Sequence, residues 1–337
     1  PAIELAERGS PVGARLARLL RGPLAQGLRS DPQAAALFFN RDGTPLAAGQ
    51  MLRNPALAAV LRAVAAQGAE VFYRGEIAHD IVARVRGHAG NPGLLDEADL
   101  AGYRAIERAP LCFEHRRWRL CGMPPPSSGT LAVGQMLGML ETRGIEALRP
   151  RPAPWGLEPD AQAVHLFSEA GRLAFADRAR YVADPDFAPL PGVGAATLLD
   201  ADYLKQRAAL IGPRSMGRAA AGTPLGPHMS LADDRSPELA STTQVSVVDG
   251  FGNALSMTST IENGFGAQIM VRGFLLNNQL TDFSFVPAVD GVPVANRVQG
   301  GKRPRSAMAP MLVFERDGGR LVMSIGSPGG PAIINYV

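Results

Sequence analysis

A threonine hydroxyl becomes a nucleophile only when a base takes its proton. Thr242 stands where such a base could be made. Ser241-Thr242-Thr243 closes a stretch, 212–241, that holds Gly-Pro and Ser-Pro steps and no hydrophobic period, and it directly precedes a β-branched run. If the chain were cut before Thr242, its new α-amine would have a pKa of about 7.7–8.0 and could act as that base. No histidine is needed for this chemistry. His79, His88 and His165 fall in helical patterns, His115 in a charged hairpin and His228 in the 212–241 stretch. None has metal-ligand spacing to another His or Cys, so each reads as a surface or satisfied structural side chain. On composition alone, 212–241 reads first as a linker between domains. The sharper reading is a mobile processing loop that must be cut to free a residue on a rigid strand.

Acyl transfer also needs donors for an oxyanion. Gly326-Ser327-Pro328-Gly329-Gly330 follows a strand pattern and offers two adjacent glycines, although a simple turn would look the same. A third polar group is Asn277-Asn278-Gln279-Leu280-Thr281-Asp282-Phe283-Ser284. Gln279 and Asp282, three apart, suit an ammonium group. A capped turn accounts for them equally well and is the reading favoured by residue type.

The elements that must position these residues divide by type. Helical spacing covers 55–69 behind Asn54 as N-cap, 74–87, 130–142, and 160–182 up to Asp184-Pro185-Asp186. The first two-thirds therefore reads as helical. The last third reads as strand: 245–248 and 254–261 flank Asp249-Gly250-Phe251-Gly252-Asn253, and 311–325 repeats the pattern around Arg316-Asp317-Gly318-Gly319. Helices first and strands later predict an α+β fold, not a doubly wound one.

Composition sets outer limits. The chain has 337 residues, 34 Lys plus Arg against 31 Asp plus Glu, and a formal net charge of +3. That balance, without a basic patch interleaved with aromatics, gives no case for nucleic acid. No apolar run approaches the roughly 20 residues of a membrane span. Two cysteines exclude a disulfide scaffold and a four-thiolate zinc site. Cys112 and Cys121 could face each other across a hairpin, yet two free buried thiols are the expectation. The chain opens on Pro1 and closes on Ile333-Ile334-Asn335-Tyr336-Val337, which reads as a piece cut at both ends.

Several blocks, in order, resemble one family. Ser241-Thr242-Thr243-Gln244-Val245-Ser246-Val247-Val248-Asp249 with Gly252-Asn253-Ala254 is similar to the start of the small subunit of γ-glutamyltransferases, also called glutathione hydrolases. Leu275 to Ser284, Lys302-Arg303-Pro304-Arg305-Ser306-Ala307-Met308 and Gly326 to Gly330 resemble three further blocks. Met123-Pro124-Pro125-Pro126-Ser127-Ser128-Gly129 and Ala176-Asp177-Arg178 resemble large-subunit signatures.

The resemblance implies an N-terminal-nucleophile hydrolase: a four-layer αββα sandwich, here incomplete at both termini. It implies a precursor that cuts itself between Ser241 and Thr242. Residues 1–241 would be the large-subunit part and 242–337 the small-subunit part, together one structural domain. Thr242 would be the nucleophile for processing and catalysis, and Thr260 would orient its hydroxyl. Gln279 and Asp282 would hold the substrate α-amino group, with Glu262 beside them where well-known members carry Asn. Ser306 would bind the α-carboxylate, and Gly329 and Gly330 would supply the oxyanion N–H groups.

Gln244 stands where the family usually has His, and Ala307 where a second serine is usual. The resemblance implies no metal and no cofactor. It implies a γ-glutamyl small-molecule substrate, with water, an amino acid or a peptide as acceptor. Family members are commonly exported, so a periplasmic or extracellular place is expected, with a cytoplasmic one open. Two alternatives stay beside this reading. One is an acylase of the same fold for glutaryl or cephalosporin-type amides. The other is an uncleaved, inactive fragment or scaffold.

Overall fold

Asn54 caps helix α1 (Pro55–Gln67) by accepting the Leu57 N–H at 3.0 Å, and Pro55 fills a first-turn position where no donor is needed. Helix α2 (Glu76–Arg86) buries Ile77, Ile81 and Val82, as its spacing predicts, and His88 lies beyond its end. The computed structural model describes residues 1–237 and 241–337. Its contacts divide the chain into two units, each described by itself.

The first unit is Pro1–Glu107 with Ile261–Asn278. It holds α1, α2 and a short antiparallel pair, Met270–Val271 with Phe274–Leu275. One apolar cluster joins Leu20, Leu28, Phe38, Phe265 and Met270, and another joins Val60, Ile77, Ile81 and Val271. Both clusters therefore combine the N-terminal helices with side chains from 261–278, which ties that late segment into this unit.

The second unit is Arg108–Thr260 with Gln279–Val337. Its strands are β1 (Leu111–His115), β2 (Trp118–Gly122), β3 (Thr243–Val248), β4 (Ala254–Ser259), β5 (Met311–Glu315) and β6 (Leu321–Ile325). Four of them form an antiparallel sheet in the order β6-β5-β2-β1, and β3 pairs with β4 as a separate hairpin. Helices α3 (Gly129–Thr142), α4 (Ala161–Tyr181) and α5 (Ala201–Ala209) supply the apolar core through Leu131, Met136, Met139, Leu166, Leu173 and Leu204. Met311 is buried with that core, and Phe113 and Leu120 pack against it. The alternate residues Cys112, Cys121, Leu312 and Phe314 line a cavity of about 660 Å³ together with Leu255 of β4. Thus the sheet presents one face to helices and the other to the hairpin, in keeping with an α+β fold.

Two expectations need correction. The hairpin expected around His115 is there as β1–β2, with Arg116-Arg117 as a two-residue turn and Arg116 at φ 57°. That turn sets Cys112 directly opposite Cys121, with their Cα atoms 4.1 Å apart, and the two form a disulfide, not free thiols. The stretch from residue 212 to 237 is no linker, since it lies wholly inside the second unit. It is tied down along its length: Met216 N–H donates to Glu169 at 2.9 Å, Gly222 N–H to Asp177 at 2.8 Å and Ala232 N–H to Pro293 O at 2.9 Å. The last part of the expected processing loop, 238–240, lies outside the described residues. Helix α4 ends at Tyr181, within one residue of the expected 160–182, and the Asp184 carboxylate just beyond it accepts the Arg303 N–H at 2.9 Å. Among the described residues no helix is long and apolar enough to cross a membrane.

Candidate active site

The strand signal that placed Thr242 also explains its surroundings. Asp249 closes the β3–β4 turn by accepting the Phe251 and Asn253 N–H groups at 2.8 and 2.9 Å. The resulting register pairs Thr243 with Ser259. Thr242 and Thr260, one residue outside each strand end, are thereby brought to the same point. The Thr242 hydroxyl donates to the carbonyl oxygen of Ser241, and the Thr260 hydroxyl donates to that same oxygen at 3.1 Å. Two hydroxyls therefore converge on the carbonyl of the Ser241–Thr242 peptide. A donor on a carbonyl oxygen polarises the carbon for attack.

Gly329 and Gly330 adopt φ of 144° and 56°, conformations that glycine takes without a Cβ clash. They open the 3-10 turn Gly330–Ala332. No backbone hydrogen bond from either N–H is found among the described residues, as expected where a helical turn begins. The same loop touches β3, because a Cβ on Gly326 would run into the carboxamide of Gln244.

Gln279 and Asp282 share a 3-10 turn, and the Gln279 amide donates to the Asp282 carboxylate. Ser306 lies elsewhere in the unit's loops. Its hydroxyl donates to Ser127 Oγ at 2.9 Å, and its carbonyl accepts from the Ser128 N–H at 2.8 Å and the Ser128 hydroxyl at 2.6 Å. The Met123–Gly129 block and the Lys302–Met308 block are therefore two sides of one structure.

What joins Asp282 to Ser306 is a residue the sequence did not single out. Asn296 is fully buried. Its amide donates to Asp282 O at 2.7 Å and to the Asp234 carboxylate at 3.1 Å, and its side-chain oxygen accepts the Arg305 N–H at 3.0 Å. Arg305 completes the arrangement with an ion pair to Asp234 at 3.1 Å. Burial pushes the Asp234 pKa up, but the Arg305 guanidinium and the bonds from Ser236 and Asn296 outweigh it and hold it below the usual carboxylate value. Lys302 anchors the start of the same block through Ala295 O and Gln299. Burial, with Arg297 nearby, pulls its pKa down to about 8. No periodicity or motif marks Asn296; a lone Asn in a loop is ordinary in sequence.

Glu262 belongs to the first unit. It is buried and held at φ 73°, a backbone conformation that costs a non-glycine residue energy. The histidines are satisfied separately: His79 with Glu97 at 2.9 Å, His165 with Gly212 O at 2.8 Å and His228 with Gly226 O at 3.1 Å. Among the described residues no group of three or more His, Cys, Asp and Glu could hold a metal ion. The 660 Å³ cavity is lined by other residues and not by Thr242.

This geometry defines an α+β chain of the N-terminal-nucleophile hydrolase kind. The family model described as gamma-glutamyltranspeptidase matches residues 1–337, and the chain belongs to that family. It is 35% identical over 342 residues to a glutathione hydrolase proenzyme of Pseudomonas sp. (strain A14), covering 99% of this chain and 55% of that one. It is 37% identical over 331 residues to an acylase ACY 1 proenzyme of Pseudomonas sp. (strain V22), covering 98% and 53%. Among solved structures, a cephalosporin acylase from Bacillus halodurans superposes with a TM-score of 0.75 at 26% identity, covering 97% of this chain and 54% of that one. The chain thus spans about half the length of the curated relatives it matches.

Proposed function

We propose that the protein is a self-processing γ-glutamyl hydrolase and transferase that works through a threonine acyl-enzyme. The observation that carries this reading is the convergence of the Thr242 and Thr260 hydroxyls on the carbonyl oxygen of Ser241. In processing, Thr242 Oγ attacks the Ser241 carbonyl carbon. The Ser241–Thr242 C–N bond breaks, the nitrogen takes the hydroxyl proton, and an ester replaces the amide. Water then hydrolyses the ester. This leaves residues 1–241 and 242–337 as large-subunit and small-subunit parts, with a free amine on Thr242.

In turnover that amine takes the Thr242 hydroxyl proton as Oγ attacks the γ-carbonyl of the substrate. Gly329 and Gly330 N–H groups stabilise the oxyanion. The proton passes to the leaving amine, and water, an amino acid or a peptide releases the acyl group. Asp282, with Gln279, takes the substrate ammonium, and Ser306 takes the α-carboxylate. Gripping both charges at the α-carbon selects a γ-linked glutamate. The Cys112–Cys121 disulfide supports a periplasmic or extracellular place, where such bonds persist.

A second reading is an acylase for glutaryl or cephalosporin-type amides. It is favoured by the acylase ACY 1 relative and by Ala307, a buried side chain without a hydroxyl beside Ser306. A glutaryl amide has no α-amino group, so its hydrolysis would not depend on Asp282.

The test is intact mass and N-terminal sequencing of the complete protein, followed by assay of γ-glutamyl and glutaryl anilides. Two fragments, the smaller beginning at Thr242, and none from Thr242→Ala, are expected. A wild-type chain that stays whole would sink the proposal and leave the scaffold reading. Glutaryl turnover that survives Asp282→Asn would favour the acylase.

A further inference from the structure

We infer that Gln244 is a positioning residue that holds the Gly326–Gly330 loop in register with Thr242. The inference rests on the proposed acyl-transfer role of that loop. Gln244 lies on β3, two residues after Thr242, and its cross-strand partner on β4 is Thr258. The end of this flexible side chain is fixed from both sides. Its Oε1 accepts the Thr258 hydroxyl at 2.6 Å, and its Nε2 donates to Ser256 Oγ at 3.0 Å. Ser256 in turn donates to Ile325 O at 2.8 Å, the last residue of β6 before the loop.

The carboxamide fills the space where Gly326 would carry a Cβ. An unrestrained glutamine could swing away from such an atom. This one would first have to give up its bonds to Thr258 and Ser256. Gly326 is therefore glycine for a reason visible in space: a wider residue would push the loop off its support. The chain of contacts runs from the strand that carries the nucleophile, through one neutral amide, to the strand end from which Gly329 and Gly330 follow. Oxyanion donors must keep their place to within a fraction of an ångström to act on a transition state, so a support at this point sets the rate more than the binding of substrate.

The complete protein carrying Gln244→Ala, Gln244→Glu, Gly326→Ala or the double change Gln244→Ala with Gly326→Ala tests this. Two readouts are needed: kcat and KM per matured chain, counted by intact mass, and amide hydrogen exchange of 326–330. Gln244→Ala should lower kcat about tenfold, less than outright loss of a donor, with KM within about twofold. Exchange should rise in 326–330 and stay unchanged in β1, β2 and β5. Gln244→Glu keeps the acceptor for Thr258 but loses the donor to Ser256, the link that leads to Ile325, and should lower kcat as well. The double variant should lose less than the product of the single losses, because Gln244→Ala opens room for the new Cβ.

Unchanged kcat and unchanged exchange in Gln244→Ala would overturn the inference. So would exchange that rises across the whole unit, or single effects that simply multiply. If the unaltered protein cleaves no γ-glutamyl amide, the functional reading falls, and the exchange result alone decides whether Gln244 holds the loop.

Discussion

The hairpin that carries Thr242 and the loops that carry Asp282 and Ser306 are held in opposite ways. β3 and β4 rest on a backbone ladder of six cross-strand pairs. Val245, Val247 and Val248 are exposed among the described residues, and side-chain bonds are confined to the polar face around Gln244. The loops have almost no ladder. Their order comes from buried polar side chains: Asn296, Asp234, Arg305 and Ser128. A ladder tolerates loss of one side chain because the backbone bonds remain. A buried charge network does not, because each deletion strands a partner in a place that water does not reach.

The largest expected effect follows from that difference. Arg305→Ala leaves the Asp234 carboxylate buried and unpaired, and should cost about 3–5 kcal/mol in urea unfolding. A cost near zero would mean that the network does not hold the loops. The same pair sets the response to acid. Because the folded Asp234 pKa lies below its unfolded value, its contribution is present above the unfolded pKa and is lost as pH falls through the folded one. Unfolding midpoints at about pH 5 and about pH 3 should converge in Arg305→Ala relative to the unaltered protein.

Next in size is the Cys112–Cys121 bridge. It closes a short loop of sequence separation 9, and replacing both residues by Ala should cost about 2–3 kcal/mol. The hairpin it staples leads directly into Met123–Gly129, whose Ser127 and Ser128 hold Ser306. KM for the γ-glutamyl substrate should therefore rise in the double variant, while kcat changes little. A fall in kcat at unchanged KM would show that the bridge acts on the nucleophile's side instead.

The same contrast explains what could be read from the sequence. Thr242, the β3–β4 turn at Asp249–Asn253 and helices α1, α2, α3 and α4 are local features, each written in consecutive residues or a single period. The glycines at 326, 329 and 330 were visible as a turn, but the reason for Gly326 was not, since it lies in the carboxamide of a residue 82 positions earlier (326 − 244 = 82). Asn296 was missed for the same cause: its partners Asp234, Asp282 and Arg305 come from three separate loops. The disulfide was misjudged because pairing depends on register, and a one-residue slip at Arg116-Arg117 would have put the two sulfurs on opposite faces. The linker reading does not hold for 212–237, because a stretch without a hydrophobic period can still be rich in contacts. In fact Glu169, Asp177 and Arg207 reach from helices to hold Met216, Gly222 and Ala220.

The smallest effect belongs to the hairpin. Thr258→Val removes the hydroxyl that donates to Gln244 Oε1 at 2.6 Å and keeps the shape of the side chain. Thr258 is half-buried, so water can reach part of the vacated site. The backbone pairing of Gln244 with Thr258 is untouched, and the Gln244 amide keeps its bond to Ser256. One neutral hydrogen bond is lost, for which about 1 kcal/mol is the expected cost in the urea midpoint. A loss as large as that of Arg305→Ala would erase the distinction between the two regions. It would mean that the polar face of the hairpin is as tightly coupled as the buried loops, and that β3 is held in place by Gln244 more than by its ladder.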